Sequence, residues 1–193
     1  IQRIPHESDK SALWAPIRPE QLWELNGDIL AGQGRFAEAA ARYRQVLEVV
    51  QQDPRRRIKG LGLYATIGGL EVQAGRLDEA RSVFEEGRRH FDEAFKAPRD
   101  VNALKDERDA ENVYRTVHRI SKHLGGLLEQ QGRSAEAQAV FQWGVERIPD
   151  TFSPLASERN ELVERAKALP PQSPQPNREG SPIIRGITWM TLG

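Results

Sequence analysis

The chain has no cysteine among its 193 residues. Disulfides, cysteine-ligated zinc and thiol catalysis are excluded together, and redox chemistry gives no clue to the compartment. Neither sign of charge is in excess, since 28 basic residues meet 28 acidic ones. Without a positive field the chain is a poor non-specific binder of nucleic acid, so no nucleic-acid partner is expected and protein partners come first. No apolar run approaches the ~20 residues that cross a bilayer, and no transmembrane span is expected. No methionine stands at position 1. Ile1 reads as a processed or truncated start, which leaves a removed signal peptide open and the localisation unknown, with a soluble, cytoplasmic setting preferred. Lysine is scarce, 6 against 22 arginines, a ratio read as coding bias ahead of selection for bidentate carboxylate recognition. The hydrophobic share is low at 38% and the charged share high at 29%, which suits a thin helical array better than a thick α/β core. The length allows one domain plus tails.

What is present is a repeat. Three segments align without gaps: WELNGDILAGQGRFAEAAARYRQVL (Trp23 to Leu47), YATIGGLEVQAGRLDEARSVFEEGR (Tyr64 to Arg88) and SKHLGGLLEQQGRSAEAQAVFQWGV (Ser121 to Val145). Each carries a glycine (Gly27, Gly68, Gly125) and, seven positions on, a Gly-Arg pair (Gly34-Arg35, Gly75-Arg76, Gly132-Arg133). An alanine (Ala39, Ala80, Ala137) and then an aromatic (Tyr43, Phe84, Phe141) follow at fixed offsets. Glycine readily takes the left-handed conformation that stops a helix, so Gly34, Gly75 and Gly132 each predict the turn of a helical hairpin. A glycine inside a helix costs about 1 kcal/mol relative to alanine. The recurrence of Gly27, Gly68 and Gly125 therefore predicts close approach of the partner helix, with the aromatic as the knob and the alanine one turn before it on the same face.

This pattern resembles the tetratricopeptide repeat over about residues 20–150: an aromatic, an apolar-glycine pair, then Gly, Ala, aromatic and Pro. Trp23 stands at the leading aromatic position, Tyr64 replaces it in the second repeat and Ser121 in the third, and Pro149 closes the third. The spacing departs from the family's 34 residues, because Gly34 to Gly75 is 41 positions and Gly75 to Gly132 is 57. With no proline between Pro54 and Pro98 or between Pro98 and Pro149, the extra residues are expected to lengthen helices. Helices are placed at 20–32, 36–51, 56–74, 77–96, 100–131 and 134–147, followed by a terminal helix over Ser153–Leu169. That last helix is expected to be capped by Ser153 and to bury Leu155, Leu162, Val163 and Ala166. The fold class is thus all-α: an α-solenoid of three antiparallel helical hairpins with a C-terminal capping helix. Residues 1–19 form an N-terminal extension, 20–169 the repeat domain, 170–182 a Pro-rich linker and 183–193 an apolar tail. The hairpin around Pro98 is expected to project by ~12 Å, zipped by Phe91 and Phe95 against Val101, Leu104 and Val113.

The resemblance implies a concave groove, lined by the first helix of each repeat, that binds a peptide or helix of a partner protein. By offset it places Glu24, Leu25 and Asp28 there from the first repeat, Ala65, Thr66 and Gly69 from the second, and Arg119, Lys122, His123 and Gly126 from the third. The partner-binding residues are taken as Glu24, Asp28, Thr66, Arg119, Lys122 and His123, giving a groove acidic at one end and basic at the other. Some members of the family clamp a chaperone's C-terminal carboxylate; two carboxylates at the first-repeat positions would repel it, so an acidic segment held by Arg119 and Lys122 is expected instead.

Other motifs lead less far. RRRIK (Arg55 to Lys59) is a basic cluster at a helix start, where it opposes the helix dipole. His118 and His123 are five apart and do not stack on one helix face as metal ligands would. GLGLYATIGG lacks the Gly-Lys-Ser/Thr ending of a phosphate loop. No catalytic residue, metal or cofactor is expected. The tail IIRGITWMTLG is apolar, with Ile183, Ile184, Ile187 and Trp189 expected to dock on the array or drive self-association. The function expected is a protein-interaction scaffold without chemistry of its own. The alternative is a regulatory or substrate-recruiting module of a larger enzyme or membrane-anchored protein continuing beyond residue 193.

Overall fold

The computed structural model describes residues 17–53, 56–96, 104 and 106–169, with Arg57 described by its backbone alone. The described residues form seven α-helices: α1 (Pro19–Gly32), α2 (Phe36–Gln51), α3 (Arg57–Gln73), α4 (Leu77–Ala94), α5 (Glu107–Gln130), α6 (Ser134–Arg147) and α7 (Ala156–Ala168). A 3-10 turn, Ser153–Leu155, leads into α7. The protein is all-α across these residues.

The Gly-Arg pairs act as the repeat predicts. Gly34, Gly75 and Gly132 have φ of 76°, 74° and 71°. At each, the glycine N–H donates to the carbonyl three residues back (Ala31, Val72, Glu129) and the arginine N–H to the one five back (Leu30, Glu71, Leu128). This is the two-bond closure that satisfies the open carbonyls of a helix end. Arg35 and Arg133 then reach forward to Glu38 and Glu136 at 2.5–2.7 Å, clasping the first turn of the next helix.

Each turn folds its two helices onto each other, and the small residues set the approach. A β-carbon on Gly27 would lie 2.8 Å from the Tyr43 ring, and those on Gly68 and Gly125 would meet Phe84 and Phe141 more closely still. Ala39, Ala80 and Ala137 are fully buried beside them. Helices pack neighbour on neighbour from α1 to α4; α5 then packs on α3 and α4, α6 on α5, and α7 on α6 and α5. Two apolar clusters result. One joins α1, α2 and α3 through Leu30, Tyr43, Leu47, Leu63, Ile67 and Leu70. The other joins α3 to α7 through Ala65, Phe84, Tyr114, Ile120, Phe141 and Leu162. Because α3 feeds both clusters, its sequence is apolar around most of its circumference, as a helix buried on two sides must be.

Two expectations need correction. The helices around Pro98 do not extend as far as predicted: α4 ends at Ala94, and α5 begins at Glu107, capped by the Asp106 carboxylate accepting from the Arg108 N–H at 2.9 Å. Phe91 and Phe95 are buried in the main core in one cluster with Val113, and the partly buried Leu104 packs against it, as the zipped hairpin predicts for these residues. The Phe91 and Phe95 rings lie 5.2 Å apart, and Phe91 meets Trp143 of α6 edge-on at 5.6 Å. Asp92, between them, accepts from both the Trp143 indole and Arg147 at 3.0 Å, so α6 holds this end of α4 down. Val101 and the rest of 97–103 lie outside the described residues, as do the 1–16 segment, the 170–182 linker and the 183–193 tail. The second correction is at α7. Ser153 does not cap it; Ser153, Pro154 and Leu155 form the 3-10 turn, and the buried Leu155 sets the entry angle. Leu162 and Ala166 are buried as expected, while Val163 is half-buried.

Candidate interaction groove

A groove of about 680 Å³ runs between α1, α3 and α5. α1 contributes Glu24 and Asp28, α2 contributes Tyr43, α3 contributes Lys59, Gly62 and Thr66, and α5 contributes Asp109, Asn112, Arg115, Thr116 and Arg119. Four of the six residues expected to bind a partner, Glu24, Asp28, Thr66 and Arg119, therefore line one groove. Lys122 and His123 do not line it. Lys122, one helical turn beyond Arg119, faces α7, where Glu161 receives it at 2.9 Å and His118 at 3.2 Å. His123 stacks on Phe84, ring centroids 5.6 Å apart. Of the other residues placed there by offset, Ala65 is fully buried, Leu25 points to solvent away from the groove, and Gly126 lies 3.5 Å, measured from a notional β-carbon, from Arg165.

Charge in and beside the groove is largely matched across helices. On the α1 side, Arg56 meets Glu20 at 2.9 Å and Lys59 meets Glu24 at 2.6 Å. Asp28 accepts from the Tyr43 hydroxyl; burial first, and then this bond to a carboxylate, push the Tyr43 phenol far above its usual range. On the α7 side, Glu158 lies 3.7 Å from Arg115, and Glu161 takes Lys122 and His118. Burial works to raise the Glu161 pKa, but the hydrogen bonds and charges of Lys122 and His118 outweigh it and hold the carboxyl below its usual value. The expected acidic end is thus met by the RRRIK cations Arg56 and Lys59, and the expected basic end by α7. Arg55 lies outside the described residues.

Between these matched ends stands Arg119. Its guanidinium is partly buried, makes one long contact of 3.4 Å to the Ala65 carbonyl, and has no carboxylate partner among the described residues. Burial alone moves its pKa down. The Thr66 and Thr116 hydroxyls flank it in the groove and donate within their own helices to the carbonyls of Gly62 and Asn112, which leaves their oxygens as acceptors. Sequence reasoning missed Tyr43, Lys59, Gly62, Asp109, Asn112, Arg115 and Thr116 as groove residues. The signal was available for Arg115 and Thr116, which lie one turn before Arg119 on α5.

A second cavity of about 470 Å³ opens between α2, α3 and α4, lined by Val50, Leu61, Tyr64, Glu86, His90 and Ala94 among others. Its polar groups serve one another. The Tyr64 hydroxyl bonds Gln51 at 2.5 Å and Glu86 at 3.2 Å, and His90 stacks on the Tyr64 ring at 5.3 Å. Among the described residues no cluster of three or more His, Asp or Glu could hold a metal ion, and no helix is long and apolar enough to cross a membrane. No protein-family model matches the chain, and no curated protein matches it in sequence.

Proposed function

We propose that the chain is a tetratricopeptide-like α-solenoid that serves as a protein-interaction scaffold without catalysis of its own, holding an acidic segment of a partner protein in the groove between α1, α3 and α5. The repeated lock of glycine, alanine and aromatic, closed three times by the same glycine turn, supports the solenoid reading. The observation that carries the site is Arg119. A partly desolvated guanidinium facing an open groove has lost water without gaining a carboxylate, and a ligand carboxylate would supply a charge-assisted, bidentate match. The Thr66 and Thr116 oxygens beside it accept hydrogen bonds from a ligand's backbone N–H groups. Glu24 and Lys59, already paired, border the site and set its polarity.

Peptide display against the full chain tests this. The selected peptides should share an acidic residue. Arg119→Glu should weaken them by roughly tenfold or more, with unchanged helical circular dichroism, and raised salt should weaken binding to the wild type. Selected peptides without acidic residues, or equal affinity for Arg119→Glu, would remove the groove assignment.

A further inference from the structure

One helix face lacks the neighbour that its counterparts have. Leu22, Leu25 and Ile29 on α1 are 52%, 56% and 53% exposed. At 100° per residue they fall within about 60° of arc, away from both the α2-facing side (Trp23, Gly27, Leu30) and the groove side (Glu24, Asp28). The repeat shows what such a face is for. Leu22 and Ile29 correspond to Leu63 and Leu70 in the second repeat and to Ile120 and Leu127 in the third. Those four residues are only 5%, 7%, 0% and 4% exposed, because α2 packs on α3 and α4 packs on α5. The face of α1 therefore has the residues of a helix-packing surface and, among the described residues, nothing packed on it.

We infer that this face pairs two copies of the chain, α1 against α1 in antiparallel fashion about a two-fold axis near residues 25 and 26. The spacing is self-complementary: Leu22 falls opposite the partner's Ile29, and Leu25 beside the partner's Leu25. Within the helix the stripe carries no charge. Glu20, Glu24 and Asp28, the only charged residues of α1, lie on other faces and are engaged by Arg56, Lys59 and Tyr43. Two copies thus meet without like-charge repulsion, which an isologous interface requires. A head-to-tail stack fits less well, since the outer face of α7 presents Asn160, Glu164 and Lys167. Three half-exposed side chains bury on the order of 600 Å² over both copies, below the ~1,200–2,000 Å² of standard stable interfaces. The dimer is accordingly weak, and association is expected only toward the upper end of the concentration range. It leaves the groove open and does not depend on what binds there.

Sedimentation equilibrium of the full chain, from micromolar to millimolar, tests the inference. The average mass should rise from 21.8 kDa toward twice that value. Leu25→Glu and Leu25→Lys should each weaken association by roughly tenfold or more, whereas an equimolar mixture of the two variants should recover it, because Glu and Lys then face each other on the axis. Ile29→Gln provides a milder second variant. A chain monomeric throughout this range overturns the inference and leaves the stripe to a segment of the same chain or to another protein. Association that survives Leu25→Glu also overturns it and moves the contact elsewhere, the 183–193 tail first.

Discussion

Two adjacent glycines on α3 provide the sharpest test of how the helices lock. Gly68 and Gly69 have the same intrinsic cost in a helix, so on propensity alone each should be stabilised by alanine by about 1 kcal/mol. Their surroundings differ. A β-carbon on Gly68 would run into Cε1, Cζ and Cδ1 of Phe84, a fully buried ring, whereas nothing lies within 4 Å of one on Gly69. Phe84 cannot swing away, because Ala80 precedes it by one turn in the same contact and His123 stacks on its face. Overpacking at the upper end of its range, about 3 kcal/mol, less the gain in propensity, leaves Gly68→Ala about 2 kcal/mol less stable than wild type. Gly69→Ala should be about 1 kcal/mol more stable. The gap of about 3 kcal/mol corresponds to roughly 6–12 °C in melting temperature for a domain of this size. Thermal and urea unfolding followed by circular dichroism would measure it. Truncating the ring in the double variant Gly68→Ala/Phe84→Leu should recover part of the loss, a coupling that two independent sites would not show. Equal stabilities for Gly68→Ala and Gly69→Ala would refute the close-contact reasoning and the aromatic's role as knob.

Other outcomes follow from the buried charge and the exposed contrasts. Glu71 is fully buried between Arg44 at 2.6 Å and Arg76 at 3.3 Å, at a position where the other repeats carry Leu30 and Leu128. Glu71→Leu should therefore be neutral or stabilising, whereas removing both arginines should cost about 3–5 kcal/mol by leaving a buried carboxylate unpaired; denaturant midpoints decide. His123 has its pKa lowered by burial first and then by Arg119, Lys122 and His118. Its neutral form is favoured in the fold, so its contribution is present above the unfolded value of ~6.5 and is lost as pH falls through the lower folded value. A melting-temperature profile should thus decline less below pH ~6.5 in His123→Leu than in wild type, and parallel profiles would contradict this. Ala80→Arg should cost more than ~2 kcal/mol by overpacking, while the exposed Ala41→Arg should cost little; matching midpoints would contradict the assignment of Ala80 to the helix contact.

The sequence by itself determined the helices and their locks. Gly34, Gly75 and Gly132 end their helices because an L side chain is strained at positive φ, a local constraint that a single position declares. Gly27, Gly68 and Gly125 with Tyr43, Phe84 and Phe141 are legible because the contact joins helices linked by three residues and recurs at fixed offsets. Legibility stops where contacts join helices distant in sequence. That Lys59 takes Glu24, 35 residues away, and that Glu161 takes Lys122, 39 away, depends on the rotation of one helix about another. Periodicity within either helix does not encode that rotation. For the same reason the sequence could nominate Arg119, Lys122 and His123 alike, and only packing separated them: Lys122 toward Glu161, His123 onto Phe84, Arg119 into the groove. Leu22 and Ile29 carry the same pattern as Leu63 and Leu70; burial differs because it belongs to the neighbour as much as to the residue, and α1 has none on that side among the described residues.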